Sequence, residues 1–415
     1  MTTATPRQAP PPATRPSGFR AGLNQLRNLS DAHRSLTIVV AMAITTVLMY
    51  ILPIFPPLSV IQGRGIWYDA FANAGVFVLL AMGLNVVIGM AGLLDLGYAA
   101  FFAIGAYAYA YSNSPFSGTD LPFIPMLFVG AAVAGIFGIL LGAPTLRLRG
   151  DYLAIMTLGF GEIVPIVFLN LDRFTQGTNG ISGIYRPEAL PLLGSFSAIS
   201  PFNYFIVMVV IVTITMILLY RLQDSRIGRA WNAIREDELA AAANGINTVT
   251  TKLLGFSLGA TTSGLAGVFN ASKLTIVSPD QFLFTVSFTV LAMVILGGMG
   301  NIWGVAVGAF IVYNIQVVFL KSINGVIETL GIPAFDLGPV HVNLAKVPFV
   351  DYQFLLYGVA LVLMMLLRPE GLFPNQRRRQ ELHIAEEFED GEPPGEVAGA
   401  MGAAPSAAAD VGGAP

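Results

Sequence analysis

The sequence predicts an all-α, polytopic membrane helical bundle of eight to ten transmembrane helices. Three observations carry that expectation. Charged residues are only 11% of the 415 positions and hydrophobic ones 54%, with a mean hydropathy of +0.69; soluble domains carry about 25% charged residues. Apolar stretches of roughly twenty residues, the length needed to cross a bilayer as a helix, recur along the chain. Finally, the basic residues fall mostly in alternate connections, as they do in inserted membrane proteins.

Residues 1–35 are rich in Pro, Thr, Ala and Arg and read as a disordered tail. They lack the apolar core of a secretory signal, so the first apolar run is expected to be an uncleaved span. Residues 36–370 form the transmembrane domain, and 371–415 a second disordered tail. The expected spans are Leu36–Pro53, Phe71–Gly89, Leu93–Tyr111, Pro122–Ala143, Tyr152–Leu169, Phe202–Tyr220, Leu253–Ala271, Phe282–Gly297, Ile302–Leu320 and Tyr352–Leu367. The pairs 71–111 and 282–320 have very short connections, so one member of each is a candidate for a re-entrant or broken helix.

With the N-terminus inside, the inner segments hold five arginines before residue 35, Arg147 and Arg149, five cations in 221–252, Arg368 and Arg377–Arg379. Arg64, Arg173, Arg186, Lys273, Lys321 and Lys346 scatter over the outer loops. This bias puts both termini, and the 221–252 loop, in the cytoplasm.

The small residues of the spans set expectations for packing. Gly135, Gly138 and Gly142, and later Gly304 and Gly308, allow helices to approach closely in lipid. The hydroxyls of S-L-G-A-T-T-S-G-L-A-G-V-F-N (Ser257–Asn270) can bond their own backbone and need not face a substrate. F-V-L-L-A-M (77–82) and F-T-V-L-A-M (288–293) form a faint internal echo, each ahead of a Gly-Met turn.

Polar residues within spans are candidates for a translocation pathway: Asn85, Asp95, Thr157, Glu162 and Asn270. Glu162 follows T-L-G-F-G, where two glycines can loosen the helix. It is either a pathway acid or a buried, paired one. Asp95 is expected at the interface, near a short inner turn, with a capping role as well supported as a transport role. Phe174–Ile184, F-T-Q-G-T-N-G-I-S-G-I, has the chemistry of a tight turn. Thr175, Gly177, Asn179 and Gly180 are its candidates for an outer loop or gate.

The longest polar run between two apolar segments is Arg221–Lys252. Ala230–Ala243 reads as one short helix, stopped at Asn244-Gly245. Trp231, Ile234 and Ala241 fall on its inner face, and Arg235, Glu236 and Glu238 on its wet face. Such a helix is too short to be stable alone and is expected to be ordered mainly by docking.

Here a resemblance enters. I-R-E-D-E-L-A-A-A-A-N-G-I-N looks like the coupling loop of ABC-importer permeases, and its wording is closest to the branched-chain amino-acid permease family. G-L-L-D-L-G-Y-A-A-F-F-A-I-G-A-Y (Gly92–Tyr107), R-L-R-G-D-Y-L-A-I-M-T-L-G-F-G-E-I (Arg147–Ile163) and L-G-G-M-G-N-I-W-G (Leu296–Gly304) resemble the same family. The turn at Phe174 resembles a block that usually begins Thr-Gly-Gly, with Gln176 here in place of the first glycine.

The resemblance covers roughly residues 65–375. It implies a permease of the ABC-importer type in the bacterial plasma membrane, multi-pass. The implied partners are a second homologous permease subunit, two ATP-binding cassette ATPase subunits and an extracytoplasmic solute-binding protein. That protein delivers branched-chain or other hydrophobic amino acids. Carried over, Glu238, Ala242, Ala243 and Gly245 lie in the element that docks on the ATPase, flanked by Arg235 and Glu236.

What the sequence lacks narrows the reading. None of the four lysines follows a glycine, so there is no G-x-x-x-x-G-K-[ST] phosphate loop; ATP hydrolysis falls to a partner, and the chain itself is not expected to be an enzyme. There is no cysteine, His33, His341 and His383 are far apart, and no metal, cofactor or nucleic acid is implied. A urea or short-chain amide permease, an ATP-independent secondary carrier and a lipid-active membrane enzyme remain as alternatives. The first differs by its binding protein, the second by transport without an ATPase, the third by a catalytic cluster that is not found.

Overall fold

The computed structural model describes residues 34–54, 63–145, 148, 150–189, 194–196, 201–320, 322, 335–337, 340–342, 349, 351–368 and 371–373. The tails, Arg147, Arg149, Lys321, Lys346 and Arg377–Arg379 therefore lie outside the described residues.

Ten apolar helices among the described residues follow the ten expected stretches. They are α1 (Arg34–Ile51), α2 (Arg64–Asn85), α3 (Ala99–Ser112), α4 (Phe123–Thr145), α5 (Asp151–Asn170), α6 (Pro201–Gln223), α9 (Thr248–Leu274), α10 (Phe284–Gly297), α11 (Ile302–Asn314) and α12 (Gln353–Leu367). Between α6 and α9 lie two short polar helices, α7 (Arg226–Glu236) and α8 (Glu238–Ala243). A single helical turn, Asp172–Thr175, follows α5, and there are two small antiparallel pairs: β1 (Ile181–Ser182) with β2 (Ile276–Val277), and β3 (Phe335–Leu337) with β4 (Val340–Val342).

Contacts fix the direction of each helix. The α2 C-terminus meets α7, because Arg235 bonds the Gly89 carbonyl. The α1 C-terminus meets the α2 N-terminus at the opposite end, where Tyr50 stacks on Tyr68. Residues after α12 return to the first end, where Leu372 N–H donates to the Leu296 carbonyl. The start of α1, the end of α12 and the α7–α8 pair thus share one end of the bundle, here called the loop end. Both helices of the echoed hexapeptides, α2 and α10, run toward that end, and Asn85 near the end of α2 accepts from Gly300 N–H just after α10, at 2.8 Å.

The α9 helix is the axis of the bundle, packed against α4, α3 and α2. Its glycines let backbones meet. A Cβ built on Gly105 of α3 would lie 2.4 Å from the Gly264 carbonyl oxygen of α9, so neither chain has room for a side chain. Thr261, Thr262 and Ser272 donate to the carbonyls of Ser257, Gly259 and Phe269. These three hydroxyls bond their own helix, as the small-residue pattern suggests, while Ser257 donates to the Gly135 carbonyl of α4 at 3.0 Å.

Two expectations about the far end change. Lys273 is not an outer-loop cation. It lies in the last turn of α9, nearly buried, with Nζ 2.8 Å from an Asp69 carboxylate oxygen and 2.5 Å from Asn73 Oδ1. It clamps the end of α9 to the start of α2. The third span is the broken member of its pair: α3 begins only at Ala99, and its fourteen residues rise about 21 Å, short of the roughly 30 Å hydrocarbon core. Residues 91–98 lead into α3 as non-helical chain, largely buried but exposed at Gly92 and Leu94. In the second pair α10 is equally short and is preceded by a single 3₁₀ turn, Pro279–Phe282.

Candidate functional site

The loop end carries a structured outcrop. Ser225 caps α7, its hydroxyl accepting from Ile227 and Gly228 N–H at 3.2 and 3.3 Å. Trp231 is fully buried and its indole N–H donates to the Thr251 carbonyl at 2.7 Å, anchoring α7 on the first turn of α9. The helix expected over 230–243 is two helices. At Asp237 the backbone is extended (φ −152°, ψ 111°), and its carboxylate accepts from Leu239 and Ala240 N–H at 2.8 and 3.0 Å. A short acidic side chain that satisfies the first free N–H groups of a new helix favours a restart over continuation.

The stop at Asn244-Gly245 has the expected form. Gly245 has φ +84°, its N–H donates to the Ala242 carbonyl, and Ile246 N–H donates to that of Ala241. This is a Schellman closure, which needs a left-handed residue at the glycine. The six-residue α8 is thus capped at both ends. Glu238 adds an ion pair at 2.7 Å to Lys252, which is nearly buried. These caps and the ion pair are contacts within the chain itself that hold a helix too short to be stable alone.

The wet face also changes. Glu236 is exposed, with Ala242, Ala243 and Gly245, but Glu238 is held by Lys252. Arg235 turns inward: its Nη1 donates to the Gly89 carbonyl at 2.6 Å. Gly89 lies in a π-helical turn, Val86–Met90, that extends α2. The last carbonyls of a helix lack partners and carry partial negative charge, so they suit a guanidinium. The sequence pattern missed Leu239, an apolar side chain 69% exposed at the centre of the outcrop.

The segment that Arg235 touches leads into the break before α3, and there every stitched N–H has a named acceptor. Leu96 N–H donates to Thr157 Oγ1 at 3.0 Å, Gly97 N–H to Asp95 Oδ1 at 2.9 Å, and Ala99 N–H to Ser287 Oγ at 2.9 Å. Tyr98 O–H donates to the Gly259 carbonyl at 2.9 Å. Backbone that leaves a helix in apolar surroundings needs such partners. Nothing in the local sequence named Ser287, which lies 188 positions further on.

These bonds place the candidate pathway residues. Asn85, Asp95 and Thr157 are buried among the helices of their own subunit. Asp95 is buried, at 2% exposure, where it closes a tight turn onto Gly97, in keeping with a capping role. Asn270 is half-buried near the far end of α9. Glu162 alone of the five is exposed, and the two glycines before it do not break α5, which is continuous. Gly161 packs on Gly97, while Gly159 faces open space.

Glu162 sits eleven residues, about 16 Å, from the start of α5 and about 12 Å from its end, with no hydrogen bond or ion pair among the described residues. An acid at mid-span costs on the order of 3 kcal/mol on insertion scales. Its neighbours on that face, Ile155, Met156, Ile163 and Ile166, are exposed as well.

At the far end the candidate loop is an ordered turn. Thr175 is buried, and its hydroxyl bonds the Phe168 and Leu171 carbonyls. Gln176 adopts φ +59°, the conformation a glycine would supply, so the turn keeps its shape at the cost of a strained side-chain residue. Gly177 and Gly180 also have positive φ, and Gly180 packs on residues 277–278, beside the β1–β2 pair. Asn179 is exposed. Among the described residues no three metal-ligating side chains converge.

Taken together, the fold is that of a multi-pass membrane protein with a rigid, exposed helical outcrop at one end. Residues 68–365 match the family model described as the permease component of branched-chain amino acid transport systems, and the chain belongs to that family. It is 36% identical over 326 residues to the high-affinity branched-chain amino acid transport system permease protein LivM of Escherichia coli K12, covering 74% of this chain and 70% of the relative. A probable LivM of Methanocaldococcus jannaschii is 26% identical over 74% of this chain and 87% of its own length. LivH of E. coli K12, a second permease protein of that transport system, is 25% identical over 59% and 82%. No solved structure matches.

Proposed function

We propose that this chain is one half of the membrane pore of an ABC importer for branched-chain and related hydrophobic amino acids. A second, related permease completes the pore. Separate ATPase subunits grip the outcrop, and a solute-binding protein loads the far end. The observation that carries this reading is the outcrop: α8 is a six-residue helix capped at both ends and apolar on its exposed side at Leu239, and α7 before it is joined through Arg235 to the π-turn that leads into the break. A rigid lever of this kind passes a push from below into the membrane without melting.

The same reading puts the loop end in the cytoplasm of a bacterial plasma membrane, with both termini there. Support comes from the chain direction of α1 and α12 and from the four arginines and Lys252 of the 221–252 loop. None of the relatives named above is an amide permease or an ATP-independent carrier.

The test is reconstitution of the complete assembly in vesicles with its binding protein. Uptake of labelled leucine is expected only with ATP and with the ATPase subunits present; uphill uptake without them would overturn the reading. Labelled urea and short amides, offered in parallel, decide the solute class.

A further inference from the structure

We propose that Glu162, beside the open backbone at Gly159, is the point on the membrane-embedded surface of α5 that receives the ammonium group of the transported amino acid. This rests on the importer reading above and adds the recognition chemistry within the pore.

Four features of α5 support it. Glu162 lies near the middle of a twenty-residue helix, too far from either end for its short side chain to reach headgroups. Its carboxylate is exposed on the subunit surface and has no partner among the described residues. A surface bathed in acyl chains is the wrong place for such a group, so this face of α5 meets a polar passage or a cation. Gly159, three positions earlier and on the same helix face, would present an added Cβ to nothing within 4 Å, so the backbone beside the carboxylate is open to a ligand.

The surroundings define the ligand. Ile155, Met156, Ile163 and Ile166 expose apolar surface around the carboxylate. A carboxylate set in an apolar belt suits a compact cation carrying a hydrocarbon side chain, which is the shape of a hydrophobic amino acid at its ammonium end. Asp95, the other acid near the membrane interior, is enclosed and turned onto Gly97, so it is not available for this task.

The rival occupant is a basic side chain of the second permease. The experiment separates the two in cells carrying the complete system, with co-purification of the subunits and uptake of labelled leucine measured together. Glu162→Gln is expected to assemble like the wild type and to lower leucine uptake tenfold or more. Glu162→Asp, which keeps the charge, is expected to recover a substantial part of it. Gly159→Leu, which covers the open backbone, is expected to lower uptake at unchanged assembly.

Wild-type uptake by Glu162→Gln overturns the proposal, and so does loss of co-purification in that variant, which would mark an inter-subunit ion pair. A wild-type complex that shows no ATP-dependent leucine uptake would instead sink the importer reading itself.

Discussion

Two acids near the membrane interior, Asp95 and Glu162, lie on segments that touch each other and have opposite fates. Asp95 lies in the break between α2 and α3, 2% exposed and bonded to Gly97 N–H. Glu162 lies on the back of α5, exposed, next to Gly161, which packs against that same Gly97. One helix, α5, supplies both situations. Its inner face gives Thr157 to hold the break, and its outer face offers Glu162 to whatever covers the subunit. The lesson is that an acid in an apolar stretch is not one kind of feature: its place in the fold decides whether it is enclosed and shapes the backbone or is left exposed on the surface.

The comparison can be broken hardest at the shared contact. A Cβ on Gly97 would lie 2.0 Å from the Thr157 carbonyl oxygen, backbone against backbone, so Gly97→Ala should cost about 3 kcal/mol or more. Thermal melting of the purified protein in detergent is expected to show a large drop, or no folded material at all. Next in size is the outcrop. Leu239→Asp puts a charge at its apolar centre, and a buried hot-spot side chain is worth about 2 kcal/mol or more. Uptake should fall thirtyfold or so at unchanged melting temperature, as read by leucine transport alongside the melt.

A finer cut removes the restart of α8. Asp237→Ala deletes a helix cap worth about 1 kcal/mol, and hydrogen exchange in residues 238–245 should rise while the bundle is unaffected. The smallest effect sharpens the two-acid contrast itself. Asp95→Asn keeps an oxygen acceptor for Gly97 N–H, so leucine uptake is expected to stay within about twofold of wild type, against the tenfold loss at Glu162. Equal losses at both positions would erase the distinction between the enclosed acid and the open one.

Much of the design was legible in the chain. Apolar length located the ten apolar helices among the described residues, seven of them long and apolar enough to cross a membrane, because a bilayer demands a continuous run whatever the neighbours do. Asn244-Gly245 announced a stop, because the left-handed conformation is a local requirement. The polar run at 221–252 announced an outcrop. The division at Asp237 was missed because helix propensity was summed across it, although a cap residue followed by Glu-Leu-Ala-Ala was there to be read.

Other features depend on residues far apart in sequence. The sequence by itself determined which segments enter the membrane and where helices stop, since those follow from transfer free energy and local backbone geometry. Only the tertiary structure decided that Arg235 reaches Gly89, that Ser287 and Thr157 satisfy the break, that Lys273 clamps α2, and that Glu162 faces outward. Each of these pairs groups 60 to 200 positions apart or depends on which side of a helix is covered. The physical reason is the same throughout: a polar group in an apolar interior must find its partner in space, and its own neighbours along the chain do not say where that partner is.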